Sequence, residues 1–152
     1  MKDGKLRLAN LEDVDQIIPL MVAFVNEEMN QPETPDEDVI RETATSLISK
    51  DIEDSLVVVY ETEEGLQGII SALVIPSIFS KLKQSLELCF YIKPDYRSFK
   101  LYKEMISLYE QWAEEVAGVE LVTLALLDPR VEALYKRRGY TFSESSFKRK
   151  VG

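Results

Sequence analysis

Short alternating runs and helical stripes of apolar residues divide the chain. KLRLA, residues 5–9, alternates as a half-buried strand does. Asn10 offers a cap, and Leu11, Val14, Ile17, Ile18, Met21 and Val25 recur at helical spacing, with Pro19 inside the run predicting a kink or break near Ile18. After the loop NQPETP, Thr34 as cap, Pro35 in the first turn and Glu37 as capping-box acid predict a second helix to about Lys50. SLVVVYE, residues 55–61, and LQGIISALVI, residues 66–75, predict a hairpin closed by TEEG. SLELCFYI, residues 85–92, has a nearly continuous apolar end, as a strand covered on both faces would.

A long amphipathic helix is predicted from Ser98 to Ala117, with Leu101, Met105, Leu108, Tyr109, Trp112 and Val116 on its apolar stripe and Gly118 ending it. A buried strand VELVTLALL follows, then a short helix in DPRVEALYKRR stopped by Gly139. YTFSESSFKRK, with Tyr140, Phe142 and Phe147, predicts a last strand. Hairpin-linked strands followed by a β-α-β-α-β tail imply an α/β (α+β) fold. The sheet would be mixed and mostly antiparallel, of about six strands, with helices on both faces. At 152 residues the expectation is one domain, residues 1–152.

Composition narrows the chemistry. The net charge is −9, which argues against broad nucleic-acid affinity and suits a cationic substrate or simply a soluble surface. The absence of histidine removes His-based triads and imidazole ligands, and no carboxylate spacing marks a metal site, so no metal is expected. Cys89 stands alone, which fits a reducing compartment. No stretch approaches the ~20 apolar residues of a membrane span, and MKDGKLRLANLED lacks a signal-peptide core, so a cytoplasmic location is expected.

Two stretches carry a resemblance. YIKPDYRSFKLY, residues 91–102, passes from strand through a turn into a helix, and LYKRRGYTF, residues 134–142, places a Leu-Tyr pair shortly before a Gly-aromatic pair. Both resemble the GNAT acyltransferase superfamily, and the likeness in element order extends over almost the whole chain. The first is similar to the family's entry into its pyrophosphate turn, [QR]-x-x-G-x-[GA]. Arg97 matches its first position, while Lys100 and Tyr102 stand where small residues are usual. Glycine permits positive φ and close approach, which these two do not. The helix start still supplies free N–H groups and partial positive charge. Glycine-poor members, phage-type ones among them, show the same pattern.

The resemblance implies an acyltransferase moving an acetyl group from acetyl-CoA, as co-substrate, directly to a small cationic amine or a protein amine. Phe90, Tyr91 and Ile92 would face the pantetheine arm, and Arg97, Ser98, Phe99, Lys100, Leu101 and Tyr102 would form the pyrophosphate turn. Asp128 occupies the place of an asparagine that contacts the cofactor, though an ionised aspartate only accepts hydrogen bonds. Glu87 would be the base and Tyr135 the acid that protonates the departing thiolate. Against these stand plainer readings: Glu87 as an exposed charge, Tyr135 as a core tyrosine, Cys89 as a small buried hydrophobe rather than a nucleophile, and Trp112 and Tyr109 as core. Glu27, Glu28 and Glu33, near the loop between the first helices, could draw a cationic amine or simply be solvated. The late strands could pair two copies into a homodimer. A non-catalytic binding or assembly protein with a degenerate turn is the alternative to the enzyme.

Overall fold

The computed structural model describes residues 3–28, 33–126, 129–144 and 146–152. Strand β1 (Lys5–Leu8) leads through a 3-10 turn (Leu11–Asp13) into helix α1 (Val14–Glu27), followed by α2 (Glu37–Ser49). Strands β2 (Ser55–Thr62), β3 (Gly65–Pro76) and β4 (Lys83–Ile92) come next. Helix α3 (Phe99–Gln111) passes into a π-helical turn (Trp112–Val116), and β5 (Leu121–Thr123) and α4 (Glu132–Arg137) complete the fold. The sheet has the order β1-β2-β3-β4-β5. The first three pairings are antiparallel and β4 with β5 is parallel, which the crossover through α3 permits.

Strand periodicity assigns the two cores. Val57, Val59, Ile69, Cys89 and Tyr91 pack with Ile17, Leu20, Phe24 and Leu47 of α1 and α2. Their neighbours Leu56, Val58, Ile70 and Ile92 pack with Leu101, Met105 and Tyr109 of α3. The sheet is therefore a mixed, mostly antiparallel layer between helices on both faces, as expected, but it has five strands among the described residues rather than about six.

The differences have local causes. The described residues beyond Tyr140 form no strand, and Phe142 and Phe147 are 75% and 98% exposed. Alternation there is not matched by a ladder or a core to bury it. The strand expected from Val119 onwards shrinks to Leu121–Thr123 because β4 pairs with it only at Gln84, Ser85 and Leu86. Helix α1 runs through Pro19 without breaking. The proline sits on the exposed face, where water can serve the carbonyl that its missing N–H leaves free. The cap of α2 is Asp36, not Thr34; its carboxylate accepts from the amides of Asp38 and Val39. The π turn, with the Ala117 amide bonded to the Trp112 carbonyl at 2.9 Å, widens the end of α3 and turns Val116 out of the stripe.

Arg7 ties β1 to the start of α1. Its guanidinium donates two bonds to Asp13, at 2.8 and 2.9 Å, and two to Glu61 of β2, at 3.1 and 3.0 Å. Asp13 is buried, and the bond from Arg7 holds its carboxyl below the ordinary range. The Arg7→Met variant should lose about 1.5–3 kcal/mol at neutral pH, because a buried carboxylate keeps its desolvation cost without its partner. A depressed folded-state pKa stabilises above the unfolded value of about 4 and is lost as pH falls through the folded one. Denaturant titrations of both proteins should therefore show the gap narrowing in acid; an unchanged gap would exclude the ion pair as its source.

Candidate active site

The site begins where β4 and β5 part. They pair only as far as Leu86 with Thr123, so among the described residues the edge of β4 from Glu87 onwards has no strand beside it. A buried tyrosine of α3 sits at this point. The Tyr109 hydroxyl donates to the Thr123 carbonyl at 2.7 Å and lies 2.9 Å from Ser85 Oγ, joining β5, β4 and α3. Its proton is held tightly, with the pKa pushed up to about 12 by burial. Just beyond, the β3–β4 register shifts: Ser71 pairs with Cys89 and Ala72 with Glu87, leaving Leu88 as a bulge. The bulge lets Glu87 and Phe90, three residues apart, face the same gap, which regular alternation would forbid.

The gap is a narrow cleft lined by Phe24, Glu28, Glu87, Phe90, Tyr102, Ala125, Val131 and Tyr135. Glu87 and Tyr135 converge on one residue of the far wall. The Ala125 amide donates to Glu87 Oε1 at 3.4 Å, and the Tyr135 hydroxyl donates to the Ala125 carbonyl at 3.2 Å. Burial pushes the Glu87 pKa up to about 7, with the Ala125 amide pulling the other way. Half of such a group is ionised at neutral pH, which suits a proton acceptor. Tyr135 is buried, held by α4 against α3 through Ile106, Val131 and Leu134. Cys89 is a poor nucleophile: burial, then the nearby charges of Glu87 and Glu28, push its thiol pKa well up, and its side chain packs in the core.

The turn after β4 is a 3-10 segment, Pro94–Tyr96, followed by two extended residues, Arg97 and Ser98. Ser98 caps α3, its hydroxyl accepting from the Leu101 amide at 3.0 Å. The amides of Phe99 and Lys100 have no hydrogen-bond partner among the described residues. Among the described residues no non-glycine residue has positive φ, so the turn does not require glycine at 100 or 102 for its backbone conformation. Lys100 points to solvent. Tyr102 does not fold over the helix start; its ring packs edge-on against Phe90, with centroids 5.4 Å apart, and narrows the cleft to about 20 Å3, room for a water molecule.

Arg97 is turned towards α1. Its Nε donates to the Ile92 carbonyl at 2.7 Å, Nη2 donates to Glu28 at 3.1 Å, and the guanidinium stands over the Tyr91 ring. The Tyr91 hydroxyl in turn donates to Glu27 at 2.8 Å. Tyr91 and Ile92 thus send their side chains into the two cores, and of that trio only Phe90 lines the cleft. Leu101 is buried against the sheet. Asp128 lies outside the described residues. Phe24, Ala125 and Val131 also line the cleft, though nothing in the sequence marked them. Ala125 acts through its backbone, which no side-chain pattern reveals.

Residues 21–140 match the model of the acetyltransferase (GNAT) family, and the chain belongs to that family. No curated protein matches the chain by sequence. Solved structures share its fold. A predicted acetyltransferase with acetyl-CoA from Clostridium acetobutylicum superposes with a TM-score of 0.78 at 11% identity, covering 97% of this chain and 96% of that one. Glucosamine-6-phosphate N-acetyltransferase from Arabidopsis thaliana gives 0.74 at 13%, covering 99% and 100%. Ribosomal-protein-alanine N-acetyltransferase from Brucella melitensis biovar Abortus 2308 gives 0.72 at 18%, covering 99% of each chain.

The pin at the parting point is open to test. Tyr109→Phe leaves Ser85 Oγ buried without its partner and should cost about 1–3 kcal/mol. Hydrogen exchange should show the β5 amides opening more readily in the variant, with those of β2 unchanged. Equal protection of β5 in both proteins would show that packing alone holds the strands.

Proposed function

We propose that the protein transfers the acetyl group of acetyl-CoA directly to an amine in the cleft between β4 and β5. The observation that carries this reading is the meeting of Glu87, poised near neutral pKa, with Tyr135 across Ala125 at the point where the sheet opens. The residues present fit the co-substrate in two respects. The unpaired edge of β4 offers backbone groups to an amide-bearing arm, and the free amides of Phe99 and Lys100 offer donors to a diphosphate. When bound, acetyl-CoA supplies an activated thioester. Glu87 accepts the proton that an ammonium must lose before it can attack, and the Tyr135 hydroxyl gives a proton to the leaving sulfur. The acceptor is a small cationic amine or a protein amine: Glu87 lines the cleft, Glu28 beside it is paired with Arg97, and among the described residues no Lys or Arg lines it.

The tight contact of Tyr102 with Phe90 favours a second reading, a non-catalytic member of the family whose cleft stays shut. Binding separates the two. Acetyl-CoA at ~100 times its dissociation constant should add about 2.7 kcal/mol of stability, read as a rise in melting temperature. No rise at millimolar acetyl-CoA would rule out the transferase.

With binding shown, the rate of thiol release should climb roughly tenfold per pH unit below about 7 and level off above it, because the base works only when ionised. Glu87→Gln should lower the plateau by about 10²–10⁴-fold and remove that inflection. Tyr135→Phe should slow turnover while acetyl-CoA affinity stays near native. Native rates in both variants would strip these residues of their roles.

A further inference from the structure

The hairpin of β3 and β4 ends in a loop that exposes large apolar side chains on a tied backbone. Ile78 is 87% exposed and Phe79 is 91% exposed. Ser77 Oγ accepts from the Phe79 amide at 3.0 Å, and Ser80 Oγ accepts from the Leu82 amide at 3.2 Å. The Ser77 amide donates to the Leu82 carbonyl at 2.9 Å and closes the loop. A single exposed apolar residue is ordinary, but two adjacent ones on a closed loop are unfavourable in water. Their backbone is already ordered, so docking them loses little further entropy.

The same end of the sheet carries a second apolar group. There β2 begins, with the Asp54 carbonyl accepting from the Val74 amide, and β5 begins, with the Glu120 amide donating to the Lys83 carbonyl. The Trp112 indole donates to the Ile52 carbonyl, which brings the π turn after α3 to this end as well. Ile52, Val116 and Leu121 are 44%, 44% and 47% exposed. Their sequence neighbours Asp51, Glu53, Glu114, Glu115 and Glu120 are exposed acids, whereas the exposed charges next to Ile78 and Phe79 are Lys81 and Lys83. One end of the molecule thus holds a cationic apolar tip and an acidic apolar surface. Those acids would be repelled by an anionic bilayer or a nucleic acid.

A two-fold interface needs both halves of its match on one patch, and this patch has them. We propose that this end of the sheet is the interface between two copies of the chain, with the tip of each seated on the acidic apolar surface of the other. Ile78 and Phe79 then meet Ile52, Val116 and Leu121, while Lys81 and Lys83 meet the acids beside them. The cleft opens further along β4, from Glu87 onwards, so the pairing stands or falls independently of the transfer reaction.

Sedimentation velocity over a concentration series tests the interface. The native protein should pass from monomer to dimer, and Phe79→Ser should raise the dimer dissociation constant at least about tenfold. Two charge-reversed proteins test the match itself: one carries Lys81→Glu and Lys83→Glu, the other Glu114→Lys, Glu115→Lys and Glu120→Lys. All five side chains are exposed, so the changes spare the core. Each variant alone should stay monomeric, because its tip and acidic surface would then bear the same sign. An equimolar mixture should recover the dimer, since both contacts become attractive again. A native protein that stays monomeric, a Phe79→Ser variant that pairs as the native does, or a mixture that stays monomeric would overturn the interface. Native monomer that co-sediments with phosphatidylserine-containing phosphatidylcholine vesicles would overturn it too and assign the tip to a lipid surface.

Discussion

Two parallel strands that pair for three residues and then separate open the cleft that Glu87 and Tyr135 line. A sheet of this kind would ordinarily go on pairing, since each unpaired backbone group carries a cost away from water. The Tyr109 hydroxyl stops it, because it takes the Thr123 carbonyl and meets Ser85 where the ladder ends. Beyond that point the far wall is not a strand at all. It is the backbone of Ala125, offering its amide to Glu87 and its carbonyl to Tyr135. The positions of both polar side chains follow from where β5 ends.

Burial at this opening sets the chemistry. Glu87 lies among Phe90, Tyr102 and Tyr135 with a single long amide contact, so the charged form gains little and its pKa rises to about 7. Burial raises the pKa of Cys89 and Tyr91, two and four residues along the same strand, in the same direction, because each is neutral when protonated. They start at 9.0 and 10.0 instead of 4.5, so the shift carries them further above neutrality and leaves them protonated. One strand thus carries a carboxyl brought near neutrality and two groups carried further above it. The bulge at Leu88 decides which side each occupies.

Much of the architecture was legible in the apolar periodicity, because the two cores each take one face of β2, β3 and β4 and one stripe of a helix. The alternation of Leu56, Val57, Val58 and Val59 is read directly in the structure as the assignment to α3 or to α1 and α2. The glycines that end helices were legible too: Gly118 and Gly139 both take positive φ. The missing last strand was not, since Tyr140, Phe142 and Phe147 alternate as strand residues do while pairing depends on a neighbour that sequence does not show. In the site, the resemblance singled out Glu87 and Tyr135, and both line the cleft. Their meeting at Ala125 was not, because it runs through backbone atoms and a bulge, neither of which leaves a mark in residue types. Nor was the orientation of Arg97, whose partner Glu28 is 69 positions away.

The glycine-free turn makes sense once the two services of glycine are separated. One is conformational, and here it is not needed: Arg97 and Ser98 are extended and Lys100 and Tyr102 are helical, with no positive φ among them. The other is proximity, and there the Cβ atoms of Lys100 and Tyr102 do take up space. Tyr102 spends its bulk sideways, on Phe90 in the cleft wall, instead of over the open amides of Phe99 and Lys100. Lys100 sends its chain into solvent and leaves its charge near the helix start. A helix N-terminus attracts anions through its dipole and free donors, and nearby ammonium groups act in the same direction. What the turn loses in closeness falls on the cleft below rather than on the donors above. Tyr102, Tyr135 and Phe90 line the cleft, while at the start of α3 the amides of Phe99 and Lys100 have no hydrogen-bond partner among the described residues.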